Sequence, residues 1–234
     1  MKQRKNIVIF SGAGVSAESG LSTFRDNGGL WDKYNVMEVA TPEAWILNPK
    51  KVLHFYNLRR KQVIEAAPNE AHRLIAEMEK YFNVHVITQN IDDLHERAGS
   101  SKVLHLHGEI RKARSEKNPN LIYEIDGWEL NLGDKAEDGA QLRPDVVWFG
   151  EDVPNMKKAF EIAQIADIMI VVGTSLSVAP ASFVINYIRE DTDLFLIDPN
   201  PAKKIKHRKT TVIPKKASEG IRDVFELLTQ PQQA

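Results

Sequence analysis

One stretch constrains this chain more than any other. The apolar run Asn6-Ile7-Val8-Ile9-Phe10 is followed at once by Ser11-Gly12-Ala13-Gly14-Val15-Ser16-Ala17. Four consecutive apolar residues, mostly β-branched, read as a strand buried on both faces, which is what a parallel sheet supplies. Gly12, Gly14 and Ala17 carry the G-x-G-x-x-G/A spacing of a dinucleotide-binding turn. The first Gly permits a tight turn, the second lets backbone N–H groups approach a pyrophosphate, and a small third residue lets the next segment pack on the strand. Alone the spacing is weak evidence, because a Gly-rich turn after a strand need bind nothing.

The next residues change the reading. A hydride-transferring dehydrogenase would reach a second strand soon, with an acidic residue about 20 positions on for the ribose. Here a small-residue loop, Glu18 to Gly29, intervenes with Phe24 and Arg25 in it, and the next apolar strand is Asn83-Val84-His85-Val86-Ile87. A dinucleotide turn followed by a long loop and helices suggests a cofactor that is covered and worked on.

With 234 residues the chain can bury a sizeable core, and its 27% charged and 42% hydrophobic content is ordinary for a globular protein. A net charge of −1 argues against broad nucleic-acid affinity. No apolar run approaches the length of about 18 residues that a membrane span needs, so no membrane partner is expected. The basic start Met1–Lys5 leads into an apolar run too short for a secretory leader. The absence of cysteine excludes disulfides, a thiol nucleophile and Cys-ligated zinc. A cytoplasmic protein is expected.

Along the chain, Asn48-Pro49 is a helix start, and the segment from Lys50 to Ala66 places Val52, Tyr56, Arg59 and Val63 on one face. Tyr56 and Arg59 interrupt that apolar stripe, which by itself fits a snorkelling Arg beside a core Tyr. A second helix from Asn69 to Tyr81 turns Leu74, Ile75 and Met78 inward. The strand Val84–Thr88 ends in Thr88-Gln89-Asn90-Ile91-Asp92-Asp93-Leu94-His95, a polar cluster where open α/β sheets hold ligands. A short strand, Lys102–Leu104, leads to His105-Leu106-His107-Gly108. The two histidines have no further ligand at metal-binding spacing, and one of them as a general base is the better reading. Tyr123 and Ile125, Asp126-Gly127, then Trp128, Leu130 and Leu132 read as a hairpin. Asp145-Val146-Val147-Trp148-Phe149-Gly150-Glu151 reads as an apolar strand ending in Gly. A helix over 154–166, the strand Ile168–Val172, the turn Gly173-Thr174-Ser175, a helix over 181–189, the strand Leu194–Ile197 capped by Asp198-Pro199-Asn200, a short strand over 211–213 and a closing helix over 218–228 complete the alternation. The fold class is α/β, a doubly wound and mostly parallel sheet.

Taken in order, Gly12-Ala13-Gly14-Val15-Ser16 with Phe24-Arg25, Thr88-Gln89-Asn90-Ile91-Asp92 with Leu94-His95, His107-Gly108, Arg143-Pro144 to Trp148-Phe149-Gly150-Glu151, and Gly173-Thr174-Ser175 resemble the sirtuin family over nearly the whole chain. The resemblance implies an NAD-dependent protein-lysine deacylase. It also implies a Rossmann part (residues 1–28, 82–108 and 145–234) with a smaller domain formed by two insertions, one helical (29–81) and one a hairpin (109–144).

By this resemblance Gly12, Ala13, Gly14 and Ser16 surround the pyrophosphate, and Phe24 and Arg25 sit in the cofactor loop. Gln89 and Asn90 meet the nicotinamide ribose, while Ile91 and Asp92 hold the nicotinamide carboxamide. Gly173, Thr174 and Ser175 hold the adenosine half, with Asp198, Asn200 and Ala217 nearby. His107 is the general base, with Asn90 beside it. Val147, Phe149 and Gly150 line an acyl-lysine tunnel, Ala40 leaves its end roomy, and Tyr56 with Arg59 recognises a carboxylate on the acyl chain, so that succinyl- or malonyl-lysine is accepted. NAD is consumed as co-substrate, acylated-lysine proteins are the partners, and a monomer is expected. Three departures stand out: Ser22 where the family usually has Pro, Asp198 where it more often has Asn, and no zinc cysteines in the second insertion, whose apolar residues Tyr123, Ile125, Trp128 and Leu130 must stabilise it instead. An NAD hydrolase or ADP-ribosyltransferase sharing the cofactor site, and a non-catalytic NAD sensor, remain as alternatives.

Overall fold

The structure is a computed structural model that describes residues 4–22, 33–201, 205 and 207–230. Among these residues the main sheet has six parallel strands, which run across it in the order 103–105, 83–88, 6–11, 168–172, 193–197 and 210–213. The chain enters at the centre with β1 (Asn6–Ser11) and a short helix α1 (Gly14–Ala17). The helical segment follows as α2 (Val36–Val39), α3 (Pro42–Leu47), α4 (Pro49–Glu65) and α5 (Glu70–Glu77). The strands β2 (Asn83–Thr88) and β3 (Val103–His105), with α6 (Leu94–Arg97) between them, build outward on one side of β1. A small antiparallel sheet comprises β4 (Gly108–Ser115), β5 (Ile122–Glu124) and β6 (Leu142–Val146) in the order β5-β4-β6. The chain returns through α7 (Met156–Gln164) to β7 (Ile168–Val172), which pairs with the other side of β1. From there β8 (Asp193–Ile197), β9 (Thr210–Ile213) and α8 (Ala217–Thr229) finish the second half.

This order is forced by the apolar runs. Residues 7–10 and 168–172 are buried throughout, so each central strand needs cover on both faces. One face packs against α5 and α8 through Ile7, Ile9, Ile75, Met78, Ile170, Ile221 and Val224. The other packs against α7 and the 181–187 turn through Val8, Phe10, Ala159, Ala163, Val171 and Val184. Strand order reverses between β1 and β7, so a crevice opens at their carboxyl ends, where ligands of open α/β sheets bind.

Two sequence expectations need correction. Residues 128–132 form no strand; β5 pairs with β4 instead, with Lys112, Ala113 and Arg114 opposite Glu124, Tyr123 and Ile122. The segment after Tyr123 is drawn away because Asn57 of α4 holds Leu130 at both its N–H (3.0 Å) and its C=O (3.1 Å). Residues 147–150 likewise are not part of a strand: β6 ends at Val146. The chain is held there by isolated bonds, Val147 N–H to the His107 carbonyl (2.9 Å) and Phe149 N–H to the Ala40 carbonyl (3.0 Å), and turns at Phe149-Gly150, where the Glu151 N–H donates to the Trp148 carbonyl (3.1 Å). Glu151 then folds back to accept the Trp148 N–H at 2.8 Å.

The second insertion is held by more than the expected apolar residues. Ile125 and Leu130 do join a small core with Leu53 and Ala113. Trp128 instead lies under the Lys61 ammonium, and the Tyr123 hydroxyl accepts the Glu137 N–H. The main tie is Arg60, fully buried on α4. Its Nε donates to the Ile110 carbonyl (2.6 Å), and its Nη1 donates to Asn57 Oδ1 (2.8 Å) and to the Trp128 carbonyl (2.9 Å). One guanidinium therefore joins α4, β4 and the loop after β5.

Candidate active site

The two Gly-rich turns at the switch point lock into each other. Gly12 N–H donates to the Val172 carbonyl (3.0 Å) and Gly14 N–H to the Gly173 carbonyl (2.9 Å). A Cβ on Gly12 would lie 2.7 Å from Thr174 Cβ, and one on Gly14 would lie 2.8 Å from Gly173 Cα. Gly173 itself has φ +64°, and a Cβ there would sit 2.3 Å from Val15 N. The glycines are thus required by the contact between the β1 and β7 ends, and two of their amides are committed to that contact.

The end of β2 completes the floor. The Ser11 hydroxyl donates to Thr88 Oγ1 (2.9 Å), and His95 Nε2 meets Ser11 Oγ at 2.9 Å. Asn90 Nδ2 donates to the Gly12 carbonyl (3.2 Å) and to Ser16 Oγ (3.0 Å), and Ser16 donates onward to Asp92 Oδ2 (2.9 Å). Gln89 Nε2 reaches Thr174 Oγ1 at 3.0 Å. Asn90, Asp92, Ser16 and Gly12 are therefore one bonded cluster, and the adjacent Gln89 ties it to Thr174. Burial pushes the Asp92 carboxyl up, against bonds from Ser16 and the Leu94 N–H. Ile91 contributes its carbonyl, which accepts the Ile110 N–H at 2.8 Å.

His107 is tied to this cluster through the Gln89 backbone. Its Nδ1 lies 2.9 Å from the Gln89 carbonyl. A carbonyl only accepts, so Nδ1 carries the proton and Nε2 keeps its lone pair. Burial pushes the ring below its usual pKa of 6.5, and the bond to Gln89 opposes this. His107 is consequently a neutral imidazole at pH 7, with its basic nitrogen unbonded among the described residues. Gly108 sets this position: at φ +80°, with the Asp145 carbonyl only 2.1 Å from where a Cβ would be, no other residue fits after His107.

A wall beside the cluster is built from α4 and the segment after β6. Tyr56 is buried, and its hydroxyl accepts Trp148 Nε1–H at 3.1 Å. Burial pushes that phenol well above its ordinary range, so Tyr56 is neutral and still has its own O–H to donate. Arg143 stacks on the Trp148 ring, its guanidinium carbon 3.3 Å from the centroid, while holding Glu151 through two bonds of 2.7 and 3.0 Å. Arg59 lies on the same α4 face, donates to the Ser22 carbonyl (3.2 Å), and is pushed below its usual range by burial, with Tyr56 and Asp92 opposing. Ala40 is buried against this wall, Val147 is tied to His107, and Phe149 and Gly150 are exposed beyond it.

Asp198, Asn200, Ser175 and Ala217 lie farther along the carboxyl edge. Asp198 is buried at the end of β8 and accepts the Asn200 N–H (2.7 Å), Ser175 pairs with Ser177, and Ala217 opens α8. Phe24 and Arg25 fall outside the described residues. Sequence reasoning missed Ser11, Thr88, Trp148, Arg143 and Glu151 as parts of the site. A buried hydroxyl at a strand end and an Arg facing a Trp leave no spacing signal.

No cluster of three or more potential metal ligands occurs among the described residues. No helix among them is long and apolar enough to cross a membrane.

Comparison with known proteins agrees with this arrangement. The Sir2 family profile matches residues 12–180. An NAD-dependent protein deacylase of Bacteroides thetaiotaomicron is 52% identical over 229 residues, covering 96% of this chain and 98% of that protein. One of Helicobacter pylori strain J99 is 51% identical over 228 residues, covering 97% and 96%. The crystal structure of a Sir2 homologue in complex with NAD superposes with a TM-score of 0.86 at 37% identity, over 96% of this chain and 90% of that one. With the family profile spanning the Gly-rich turn, the 88–92 turn and the His107-Gly108 pair, the chain belongs to the Sir2 family, the sirtuins.

Proposed function

We propose that this protein is an NAD-dependent protein-lysine deacylase that acts on acetyl-lysine and also on succinyl- and malonyl-lysine. The observation that carries the reading is His107: its tautomer is set by the carbonyl of Gln89, whose neighbour Asn90 joins Ser16 and Asp92 at the switch point, and its Nε2 is left as a base. The clustered polar groups and interlocked Gly turns at that crevice fit a dinucleotide. A bound NAD⁺ would supply the electrophilic ribose carbon, with nicotinamide as its leaving group and ADP-ribose as the acceptor of the acyl group that the released lysine amine gives up.

Asn90, Gln89 and Asp92 orient the reacting half, with Asp92 accepting the carboxamide N–H and Ile91 packing beside it. Asn90 Nδ2 is already pre-positioned by Gly12 and Ser16. His107 takes a proton from a ribose hydroxyl through Nε2, a role worth about 10²–10⁴-fold in rate. Gly12, Ala13, Gly14, Thr174, Ser175, Asp198, Asn200 and Ala217 serve the rest of the dinucleotide, and Phe24 and Arg25 cover it. Val147, Phe149 and Gly150 bind the substrate backbone and acyl-lysine stem. Tyr56 O–H and Arg59 receive a terminal acyl carboxylate, a charge-assisted pairing worth about 1.5–3 kcal/mol.

The enzyme works as a cytoplasmic monomer on acylated proteins, and residues 29–81 and 109–144 serve as its two insertions. Its test is incubation with NAD⁺ and acetyl- or succinyl-lysine peptide, assaying nicotinamide, free lysine peptide and O-acyl-ADP-ribose. Nicotinamide release without peptide would instead indicate a hydrolase, and no products a sensor. Arg59→Met should lose succinyl activity selectively, by about 10- to 150-fold in kcat/KM, and keep acetyl activity. Equal loss on both peptides would make Arg59 structural.

A further inference from the structure

Two residues before the base, His105 sits in an environment opposite to that of His107. Its Nδ1 is 2.8 Å from the Asn90 carbonyl and its Nε2 is 2.8 Å from Glu96 Oε1. Both neighbours are acceptors, so a neutral ring would leave one nitrogen lone pair against an oxygen. Only an imidazolium satisfies both. We propose, resting on the deacylase reading, that His105 is a positioning residue: as a cation clamped between Glu96 and the Asn90 carbonyl, it holds the 89–92 turn in its catalytic shape.

The surroundings fit that role. His105 and His107 cap the consecutive carbonyls of Asn90 and Gln89, so the pair forms two rungs under one turn. Of the charged groups that face His105, Glu96 on α6 and Glu109 on β4 favour the imidazolium. Asp92 also feels its charge, while His95 on α6 is itself held neutral. Lys112 on β4 is occupied by Glu109 at 2.9 Å. Burial works against the charged ring, yet the Glu96 and Asn90 bonds raise it above its usual 6.5.

Losing the proton has a defined structural result. A bond to a carboxylate is stronger than one to a carbonyl, so the neutral ring keeps Nε2–H on Glu96 and turns a lone pair toward Asn90. The turn then loses one of its two rungs. Activity should therefore fall on the alkaline side as His105 titrates, above 6.5. His107 sets the acid side, below 6.5.

The experiment is the pH profile of kcat/KM with acetyl-lysine peptide, for the wild type, Glu96→Gln and His105→Asn, alongside ring ¹⁵N NMR of the histidines. Glu96→Gln should move the alkaline limb down by about one pH unit or more and leave the acid limb in place. His105→Asn should remove that titration, its amide still donating to the Asn90 carbonyl. The His105 ring signal should be that of an imidazolium at pH 7 in the wild type and titrate lower in Glu96→Gln. Superimposable profiles for wild type and Glu96→Gln, or a His105 ring already neutral at pH 7, would overturn the proposal. If the wild type releases no nicotinamide with peptide, the deacylase reading fails instead; the ring titration and the pH dependence of NAD⁺ binding then still decide the clamp.

Discussion

Replacing Arg60 by Met probes how a sirtuin without cysteine holds its second insertion. The side chain is fully buried and donates to Ile110 O, Trp128 O and Asn57 Oδ1. In the variant Asn57 Oδ1 keeps the Leu130 N–H, but the Ile110 and Trp128 carbonyls lose a donor. Each orphaned buried acceptor costs about 1–3 kcal/mol, so together about 4 kcal/mol at mid-range. Against this stands the burial of a guanidinium with no carboxylate beside it and with Nη2 unbonded. Burial first, and Arg111 second, push it down to about 10, which corresponds to roughly 3 kcal/mol that Met would recover. The bonds win narrowly. Arg60→Met should lose about 1–2 kcal/mol, or about 2–8 °C in Tm for a chain of this size. Amide exchange should accelerate at Leu130 and Ile125, the insertion's own core. Arg60→Lys should not rescue, because an ammonium cannot fork to three divergent acceptors. An unchanged or raised Tm in Arg60→Met would refute the reasoning, since desolvation would then outweigh the clasp.

Four further outcomes are expected. His107→Ala should lower kcat by about 10²-fold or more with NAD⁺ binding retained by calorimetry; near-normal turnover would remove it as the base. The acid limb of wild-type kcat/KM should lie below pH 6.5, because burial holds His107 neutral and the base is active only when deprotonated; a limb above 6.5 would contradict this. Gly108→Ala should abolish activity and lower Tm, because its Cβ has no room beside the Asp145 carbonyl; a stable, active variant would show that segment to be compliant. Dialysis against a strong chelator should leave Tm and activity unchanged, and stoichiometric zinc in metal analysis would overturn that.

Much of the site is legible in the sequence because it is carried by strand ends. An apolar run announces each parallel strand, and its carboxyl end places the polar residues that follow. Gly12, Gln89, Asn90, Asp92, His107 and Thr174 are found that way, and direct bonds join most of them. The second insertion is less legible. The Asp126-Gly127 turn signal is real, with Gly127 at φ +74°, but Asn57 captures Leu130 and prevents the strand that local pattern favours. Arg60 is hard to read for a related reason: the apolar stripe of α4 runs through Val52, Tyr56 and Val63, and Arg60 stands at its edge, one turn on from Tyr56, where a charged residue reads as snorkelling to solvent. That edge is covered only because the second insertion folds over it, which no local pattern encodes.

The Tyr56–Trp148 wall shows how far that cover reaches. Arg59 and Arg60 are adjacent on α4 yet serve different neighbours, Arg59 the Ser22 side of the crevice and Arg60 the insertion. Arg60 bonds Ile110 O, and Ile110 N–H bonds Ile91 O, in the turn assigned to nicotinamide. Tyr56, one turn earlier, meets Trp148, which Arg143 and Glu151 brace from behind. The helix is thus linked to the 88–92 turn through Arg60 and Ile110, and to the Trp148 segment through Tyr56. A shift of α4 would move Tyr56 and Arg59 together relative to His107. With Tyr56 and Arg59 in the proposed role of receiving an acyl carboxylate, loosening the Arg60 clasp should raise KM for succinyl peptide more than for acetyl peptide, and an equal rise on both would count against that role.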